Sequence, residues 1–247
     1  MLVTDADTCF VRTGFQTVKG WCLDDAALLT CCLLSQQARV GQRGGMFEIG
    51  VYEGKYLSVL YHCARTRSLP VLGVDTFEWS SRESVLSTFA SVFGSTSSLQ
   101  LIRADSRTLT CEQVIAALGG QKPAFVSVDG DHGAPAVCRD LAFAKSILAE
   151  GGVIAVDDFL NPRAIGVSEG TYRFFIETRE EFLRPFAYCA NKLFVAESSY
   201  HDRYRRAIFA FVEEMPELAV TKEFKRLEQI GREYIEQPLL GSKTLIL

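Results

Sequence analysis

The sequence predicts an α/β protein in which helices cover both faces of an open, mostly parallel sheet, completed by a C-terminal antiparallel hairpin. Three observations support this prediction. Five short apolar runs end in small or acidic residues, segments with helical spacing separate the runs, and two further strand-like runs follow the fifth. Strands buried on both faces are continuously apolar, and their alternation with helices is typical of parallel sheets.

The five predicted parallel strands are short and rich in Val and Ile, without the polar alternation of a half-exposed strand. They are GMFEIGV (45–51), PVLGVD (70–75), LQLIRAD (99–105), AFVSVD (124–129) and GVIAVDD (152–158).

The predicted helices show apolar residues at every third or fourth position. They lie over 23–37, after Gly54, after Ser84 and from Pro135 to Glu150. Proline suits the first turn of a helix and glycine the position after its end, so Pro135 and Gly151 fit the limits of the last one.

The regular alternation of predicted strands and helices ends after the fifth strand. Segment 175–183 has a helical pattern, and 185–197 resembles two short strands around a turn at Asn191–Lys192. The tail from Tyr200 to Pro238 is charged and helix-prone, which is typical of a solvated or dimer-facing helix. We therefore expect a helical cap at 1–43, a core at 44–197 and a helical tail at 198–247 packed on the core.

Composition excludes several classes of protein. The 247 residues are 48% hydrophobic and 23% charged, as in a folded domain, and the net charge of −4 disfavours nucleic acid or an anionic membrane as partner. No apolar run would span a bilayer, and the first ten residues carry acids where a signal peptide carries basic residues. We expect a cytoplasmic protein whose eight cysteines are mostly reduced and buried, with a homodimer allowed.

The ends of the first three strands carry residues suited to ligand binding. Glu48, Gly50 and Gly54 follow a GxxxG spacing, which differs from the GxGxxG dinucleotide fingerprint. Asp75 ends the second strand, at the distance where an acid commonly holds a ribose, and Asp105–Ser106 end the third. Because ligands of open α/β sheets bind beyond the carboxyl ends of strands, these residues are candidate contacts, although Asp and Ser also cap helices.

The ends of the fourth and fifth strands are the most unusual. VDGDHG places Asp129, Asp131 and His132 after the fourth strand, and Asp157–Asp158 follow the fifth. Carboxylates from neighbouring strand ends suit a hard cation such as Mg²⁺. Helix caps, a loop histidine and an anionic pocket would explain the same residues without a metal.

Several of these segments resemble class I S-adenosylmethionine-dependent methyltransferases, which are Rossmann-like. The similarity extends over about 44–196 and is closest to the group that contains the macrocin and mycinamicin O-methyltransferases and the cephalosporin-hydroxylase-like proteins. The segments that carry it are FEIGVYEGKYLSVL, VLGVDTF, VSVDGDHGAPAVCRDLAFAKSILAEGGVIAVDDF and NKLFVA.

The resemblance implies a set of cofactor contacts. The first-strand motif would surround the methionine part of S-adenosylmethionine, the second-strand acid would bind the ribose, and the third-strand acid would lie near the adenine. The implied residues are Glu48, Gly50, Tyr52, Gly54, Asp75, Thr76, Phe77, Asp105, Ser106 and Asp129. Trp21 resembles a segment that closes over the cofactor in relatives.

The resemblance also implies a catalytic group. Asp129, Asp157 and Asp158 match positions that hold a divalent cation, Mg²⁺ being the expected ion, and His132 matches the general base, so that Asp129 and His132 would be catalytic. A cation lowers the pKa of a bound hydroxyl, and a histidine can take the proton near neutral pH.

The sequence therefore predicts an O-methyltransferase that acts on a hydroxyl of a natural product, sugar or polyol. Three alternatives stay open: a metal-independent methyltransferase, a non-catalytic cofactor-binding protein, and a nicotinamide-dependent oxidoreductase, which the missing GxGxxG disfavours. An iron-dependent hydroxylase would need two histidines near one carboxylate, whereas the three histidines fall in unrelated segments.

Overall fold

Nine strands form one sheet in the computed structural model, which describes residues 1–247. In chain order the strands are β1 (Gly45–Ile49), β2 (Val71–Asp75), β3 (Leu99–Arg103), β4 (Pro123–Val128), β5 (Val153–Val156), β6 (Leu183–Cys189), β7 (Lys192–Glu197), β8 (Glu236–Leu239) and β9 (Ser242–Ile246).

Eleven α-helices flank the sheet. They are α1 (Asp5–Arg12), α2 (Gly14–Thr17), α3 (Asp24–Arg39), α4 (Lys55–Arg65), α5 (Arg82–Phe93), α6 (Cys111–Ala117), α7 (Ala134–Ile147), α8 (Ile165–Glu177), α9 (His201–Glu214), α10 (Ala219–Ile230) and α11 (Arg232–Ile235). None of them has the length and hydropathy needed to cross a membrane.

The strand order is β3-β2-β1-β4-β5-β7-β6-β9-β8, and the first five strands are parallel. The antiparallel strand β7 pairs with β5 and β6. Chain order reverses at β1, which lies between β2 and β4, and this switch point is where open α/β sheets bind ligands. The fold class predicted from the sequence is confirmed.

The register of the parallel strands places the predicted site residues side by side at one edge of the sheet. Ile49 pairs with Val74 on one side and with Val128 on the other, and Val128 in turn pairs with Val156. The residues that follow these four therefore leave the sheet side by side.

The sheet core is apolar on both faces, as the continuous apolar runs predict. Every residue of β1, β4 and β5 is buried. One face packs against the layer that includes α3, α4 and α9, and the other packs against α7 and α8. This burial holds the strand ends rigidly in place.

The prediction of a helix over 175–183 was wrong in its second half. Helix α8 ends at Glu177, and Leu183 already begins β6. The Glu180 carboxylate accepts hydrogen bonds from the backbone N–H groups of Phe182 and Leu183, each at 2.9 Å. These bonds stabilise a turn in place of another helical turn.

The predicted helical tail at 198–247 contains α9, α10 and α11, but its last residues are not helical. After α11 the chain forms the hairpin β8–β9, and β9 extends the sheet by pairing in parallel with β6. Leu240 and Gly241 both have positive φ, of 48° and 81°, as a tight two-residue hairpin turn requires. Three of the eight cysteines, Cys31, Cys32 and Cys189, are buried, while Cys9 is exposed.

Candidate active site

The turn between β1 and α4 is built around a glycine. Gly50 has a φ of 83°, and a Cβ atom there would lie 1.8 Å from the carbonyl oxygen of Asp129. Only glycine permits this close approach of two backbone segments. Asp75 clamps the turn from the neighbouring strand, because its Oδ2 accepts from the backbone N–H groups of Val51 at 2.7 Å and Tyr52 at 2.8 Å.

Asp75 has capacity for one further donor. Its Oδ1 accepts from the backbone N–H of Phe77 at 2.6 Å, which makes three hydrogen bonds with those of the turn. A carboxylate can accept about four. The acid predicted to bind a ribose therefore also shapes the loop around it.

A cavity of about 770 Å³ opens at the carboxyl ends of the parallel strands. All of the predicted site residues line it except two. Phe77 is only 6% exposed and packs in the core, and Gly54 starts α4 with a left-handed φ of 87° and faces the Phe89 ring. The sequence predicts that these two residues bind the cofactor, and the structure places both outside the lining of the cavity. The lining residues from the prediction are Glu48, Gly50, Tyr52, Asp75, Thr76, Asp105, Ser106, Asp129, His132, Asp157 and Asp158.

The wall beyond β3 carries charged residues of both signs. Asp105 is bound by the Arg107 guanidinium and accepts from the Arg107 backbone N–H at 2.9 Å, so it caps the short turn of 3₁₀ helix at Ser106–Thr108. These bonds hold the pKa of the Asp105 carboxyl below its ordinary value. Arg107 and Arg139 also line the cavity, and the motif analysis missed both of them.

His132 lies between two of the predicted acids. Its Nε2 is 3.6 Å from Asp129 Oδ1 and 3.4 Å from Asp158 Oδ2. One atom of each of the three side chains lies within 4.8 Å of the others. The sequence separation of the two acids gives no hint of this proximity, which results from the pairing of β4 with β5.

The turn after β5 directs Asp158 toward this group. Asp158 and Leu160 adopt left-handed φ values of 55° and 64°, and Asn161 Nδ2 donates to Asp158 Oδ1 at 2.6 Å. Such strain in non-glycine residues persists only where the surrounding structure supports it. Asp131, which the sequence left unassigned, accepts from the backbone N–H of Gly133 at 2.8 Å and thereby shapes the loop that leads into α7.

Asp157 has a different partner. Its Oδ1 lies 2.7 Å from Nζ of Lys192, whose side chain is 1% exposed. The Lys192 ammonium also lies 3.8 Å from the centroid of the Tyr56 ring. The contact with Asp157 has the distance of an ion pair but not the angles of a hydrogen bond. Sequence reasoning placed Lys192 only in a turn, although the segment NKLFVA that contains it was part of the family resemblance.

The acids of the cavity floor have opposite electrostatic environments. Burial and then the negative charge of Asp157 raise the pKa of Asp129 to about 8. Burial alone would raise the pKa of Asp157 as well, but the Lys192 charge and a hydrogen bond with Asp129 bring it below its ordinary value. The neighbouring Asp129 carboxylate raises the pKa of His132. The floor therefore favours the binding of a proton or another cation.

Glu48 also has a raised pKa, because of burial first and the Asp129 charge second. Both of its carboxyl oxygens are buried without a hydrogen-bond partner. Such orphaned atoms are rare in proteins and indicate a site for a bound donor.

Residues 47–159 match the family model described as a methyltransferase domain. Over these residues the chain is similar to a methyltransferase domain, and its fold is that of the class I methyltransferases. The glycine turn and the acids at the strand ends lie within these residues, whereas strands β6 to β9 lie beyond them. No curated protein sequence matches the chain significantly.

Solved structures of O-methyltransferases have the same fold as this chain. The O-methyltransferase NovP is 12% identical, with a TM-score of 0.58 over 70% of this chain and 80% of NovP. MycE from the mycinamycin pathway, solved with Mg, S-adenosylhomocysteine (SAH) and mycinamycin VI, is 16% identical, with a TM-score of 0.54 over 79% of this chain and 55% of MycE. An O-methyltransferase from Bacillus cereus, solved with SAH, is 14% identical, with a TM-score of 0.51 over 78% of this chain and 90% of its own.

Proposed function

We propose that this methyltransferase transfers the methyl group of S-adenosylmethionine to a hydroxyl of a small natural product. The observation that carries the proposal is the group Asp129, His132 and Asp158 at the floor of a cavity that also contains the glycine turn. Its structural neighbours support the same chemistry, because NovP, MycE and the Bacillus cereus protein are described as O-methyltransferases or methyltransferases.

The chain's residues fit S-adenosylmethionine. The unpartnered carboxyl oxygens of Glu48 would accept from the ammonium of the methionine part, and the remaining acceptor capacity of Asp75 suits a ribose hydroxyl. A sulfonium is positively charged, so the floor, which favours a cation, also favours it.

His132 is proposed as the general base. Methyl transfer is an in-line displacement, in which the acceptor oxygen forms a bond to the methyl carbon as the bond from carbon to sulfur breaks. His132 Nε2 takes the proton of the acceptor hydroxyl, and Asp129, at 3.6 Å, stabilises the imidazolium that forms. Half of the His132 side chain is exposed to the cavity, so an acceptor can reach it.

A divalent cation fits the same floor. Asp129 and Asp158 would hold it, and oxygen ligands of this kind suit Mg²⁺, whereas Asp157, predicted as the third ligand, is paired with Lys192. When bound, the cation lowers the pKa of the acceptor hydroxyl. The short distances from His132 to Asp129 and Asp158 also favour a second candidate, a metal-independent enzyme in which the histidine and its acids act alone.

Two measurements test the proposal. Purified protein is incubated with labelled S-adenosylmethionine and a panel of hydroxylated natural products. His132→Ala is expected to bind SAH like wild type in calorimetry and to lose about 10²–10⁴-fold in turnover. The matched control is Asp202→Asn, an exposed acid of α9, which should leave turnover unchanged.

The outcomes separate the parts of the proposal. Turnover unchanged in His132→Ala would remove the base assignment. Activity lost with EDTA and restored by Mg²⁺ would support the cation, and full activity in EDTA would leave the metal-independent enzyme. Failure to bind either S-adenosylmethionine or SAH would overturn the function itself.

A further inference from the structure

A second group of metal-ligating side chains lies outside the lining of the cavity. Asp7 of α1, Cys31 of α3 and Cys63 of α4 each bring one carboxylate oxygen or sulfur atom within 4.8 Å of the other two. None of the three lines the cavity that contains the proposed catalytic group. Because they belong to three helices and lie far apart along the chain, no spacing motif in the sequence indicates this group.

The two thiols are already spaced as ligands of one cation. The Sγ atoms of Cys63 and Cys31 are 3.5 Å apart. Two sulfurs that bind a tetrahedral ion at about 2.3 Å each are about 3.8 Å from one another. The pair therefore needs to separate by only a few tenths of an ångström to hold such an ion.

Asp7 offers a third ligand that is already held in place. Its Oδ2 accepts from the backbone N–H of Thr4 at 2.8 Å and from the Thr4 hydroxyl at 2.7 Å, and its Oδ1 lies 2.9 Å from His62 Nε2. A carboxylate has about four acceptor positions, so one remains for a cation. Burial alone would raise the pKa of Asp7, but the hydrogen bonds with His62 and Thr4 bring it below its ordinary value. The carboxylate is therefore charged and oriented by outer partners, as metal ligands commonly are.

The surroundings of the group are those of a structural site with one open side. Cys31 is 2% exposed, and His62 is buried and stacks on the Phe10 ring, with the two ring centroids 4.3 Å apart. Cys63 and Asp7 are partly exposed, so an ion can enter from their side. The group thus combines a rigid inner wall with an entry path, which a metal site requires.

We propose that Asp7, Cys31 and Cys63 bind one thiophilic divalent cation, Zn²⁺ being the expected ion, with water as the fourth ligand. Two sulfurs and one carboxylate oxygen suit zinc, whereas magnesium prefers oxygen ligands alone. The hydrogen bond with Cys63 and burial raise the pKa of Cys31, so its sulfur is protonated in the empty site. On binding, both sulfurs become thiolates and their protons pass to the solvent.

The bound ion would link three helices at one point. Helix α1 packs against α3 and α4, and α4 begins directly after the glycine turn of the cavity. The ion therefore fixes the N-terminal helical segment to the helix that follows this turn. Because the three ligands meet only in the folded chain, binding of the ion stabilises the folded state.

Cadmium titration of the reduced full-length protein tests this inference, because Cd²⁺ bound to thiolates has a charge-transfer band in the ultraviolet. Wild type is expected to develop the band with one Cd²⁺ per chain. The band should persist in excess Mg²⁺, which can occupy the carboxylates of the cavity floor but does not compete for thiolates. Zn²⁺ should raise the melting temperature of wild type.

Three variants locate the site. Cys63→Ser and Asp7→Asn should each weaken Cd²⁺ binding at least about tenfold, and Zn²⁺ should no longer raise the melting temperature of Cys63→Ser. The matched control is Cys111→Ser, because Cys111 is partly exposed like Cys63 but lies outside the group. This control should bind Cd²⁺ like wild type. Circular dichroism of the metal-free variants shows whether each has folded.

The proposal is overturned if reduced wild type shows no thiolate band, if Cys63→Ser binds Cd²⁺ like wild type, or if Mg²⁺ abolishes the band. Formation of a Cys31–Cys63 disulfide with oxidised glutathione, in a protein whose reduced form binds no Cd²⁺, would identify a redox pair in place of the metal site. No readout involves S-adenosylmethionine or methyl transfer, so the outcome is independent of the proposed function.

Discussion

Replacement of Lys192 by methionine should strongly destabilise this protein, although the sequence assigned no role to Lys192 beyond a turn. The Lys192 side chain is 1% exposed and that of Asp157 is 11% exposed, so the substitution leaves a buried carboxylate without its cation. Breaking a buried ion pair from one side costs about 3–5 kcal/mol, whereas removing both charges can be nearly neutral. The double variant Lys192→Met/Asp157→Asn should therefore recover most of the free energy of unfolding.

The assay is equilibrium urea unfolding followed by far-UV circular dichroism on the cofactor-free protein. Lys225→Met is the matched control, because Lys225 pairs with Glu213 at the surface and should cost at most about 1 kcal/mol. The reasoning would be refuted if the free energy of unfolding of Lys192→Met lay within about 1 kcal/mol of that of wild type. It would also be refuted if the double variant were no more stable than Lys192→Met.

The stabilisation that the Lys192–Asp157 ion pair gives to the wild-type protein should not change with pH over the neutral range. Burial lowers the pKa of Lys192, but Asp157 outweighs this and the net shift is upward, so its stabilisation is present below about pH 10 and is lost only at higher pH. Asp157 has a lowered pKa, and its stabilisation is present above about pH 4 and is lost as the pH falls. Without Lys192, burial would raise the pKa of Asp157, so the cost of Lys192→Met should be smaller near pH 5 and should increase as the pH rises toward about 9.

Two further predictions concern the turn and the floor. Because the folded pKa of Asp129 is about 8 and an unfolded carboxyl titrates near ~3.9, cofactor-free protein should lose stability between these values as pH rises. Urea unfolding at several pH values should show that the free energy of unfolding falls less steeply with pH in Asp129→Asn than in wild type. An equal fall in the two proteins would contradict the assignment. Gly50→Ala should cost at least about 2 kcal/mol, because its Cβ meets a carbonyl oxygen at 1.8 Å. Gly94 has a similar φ, but a Cβ atom there would meet no other atom, so Gly94→Ala should cost only about 1 kcal/mol. Equal losses of unfolding free energy in the two variants would refute the packing argument.

The strands and their chemistry were largely predictable. Each parallel strand is recognised by a continuous apolar run, and each run ends within two residues of the observed strand. Asp75 is the last residue of β2, and Asp129 and Asp157 directly follow β4 and β5, so these three acids mark the points where the chain leaves the sheet. Parallel strands place all of these points at one edge, which is why the cavity lining could be named in advance.

The second hairpin and the limits of the tail were not predictable by the same means. Strand β9 is held by its pairing with β6, which lies far away along the chain, and periodicity within a segment carries no information about such a partner. Phe77 likewise follows a site residue in sequence but points into the core, because the backbone turns through a φ of 52° there.

By itself the sequence determined the order of strands and helices, the apolar core and the chemical character of the strand ends, because burial imposes a local period on the residues. Only the tertiary structure decided which charges meet. Lys192 reaches Asp157 because β7 lies antiparallel beside β5, and His132 reaches Asp158 because β4 pairs with β5 in a fixed register. Contacts of this kind depend on the packing of distant segments, and their energies depend on burial that no local pattern specifies.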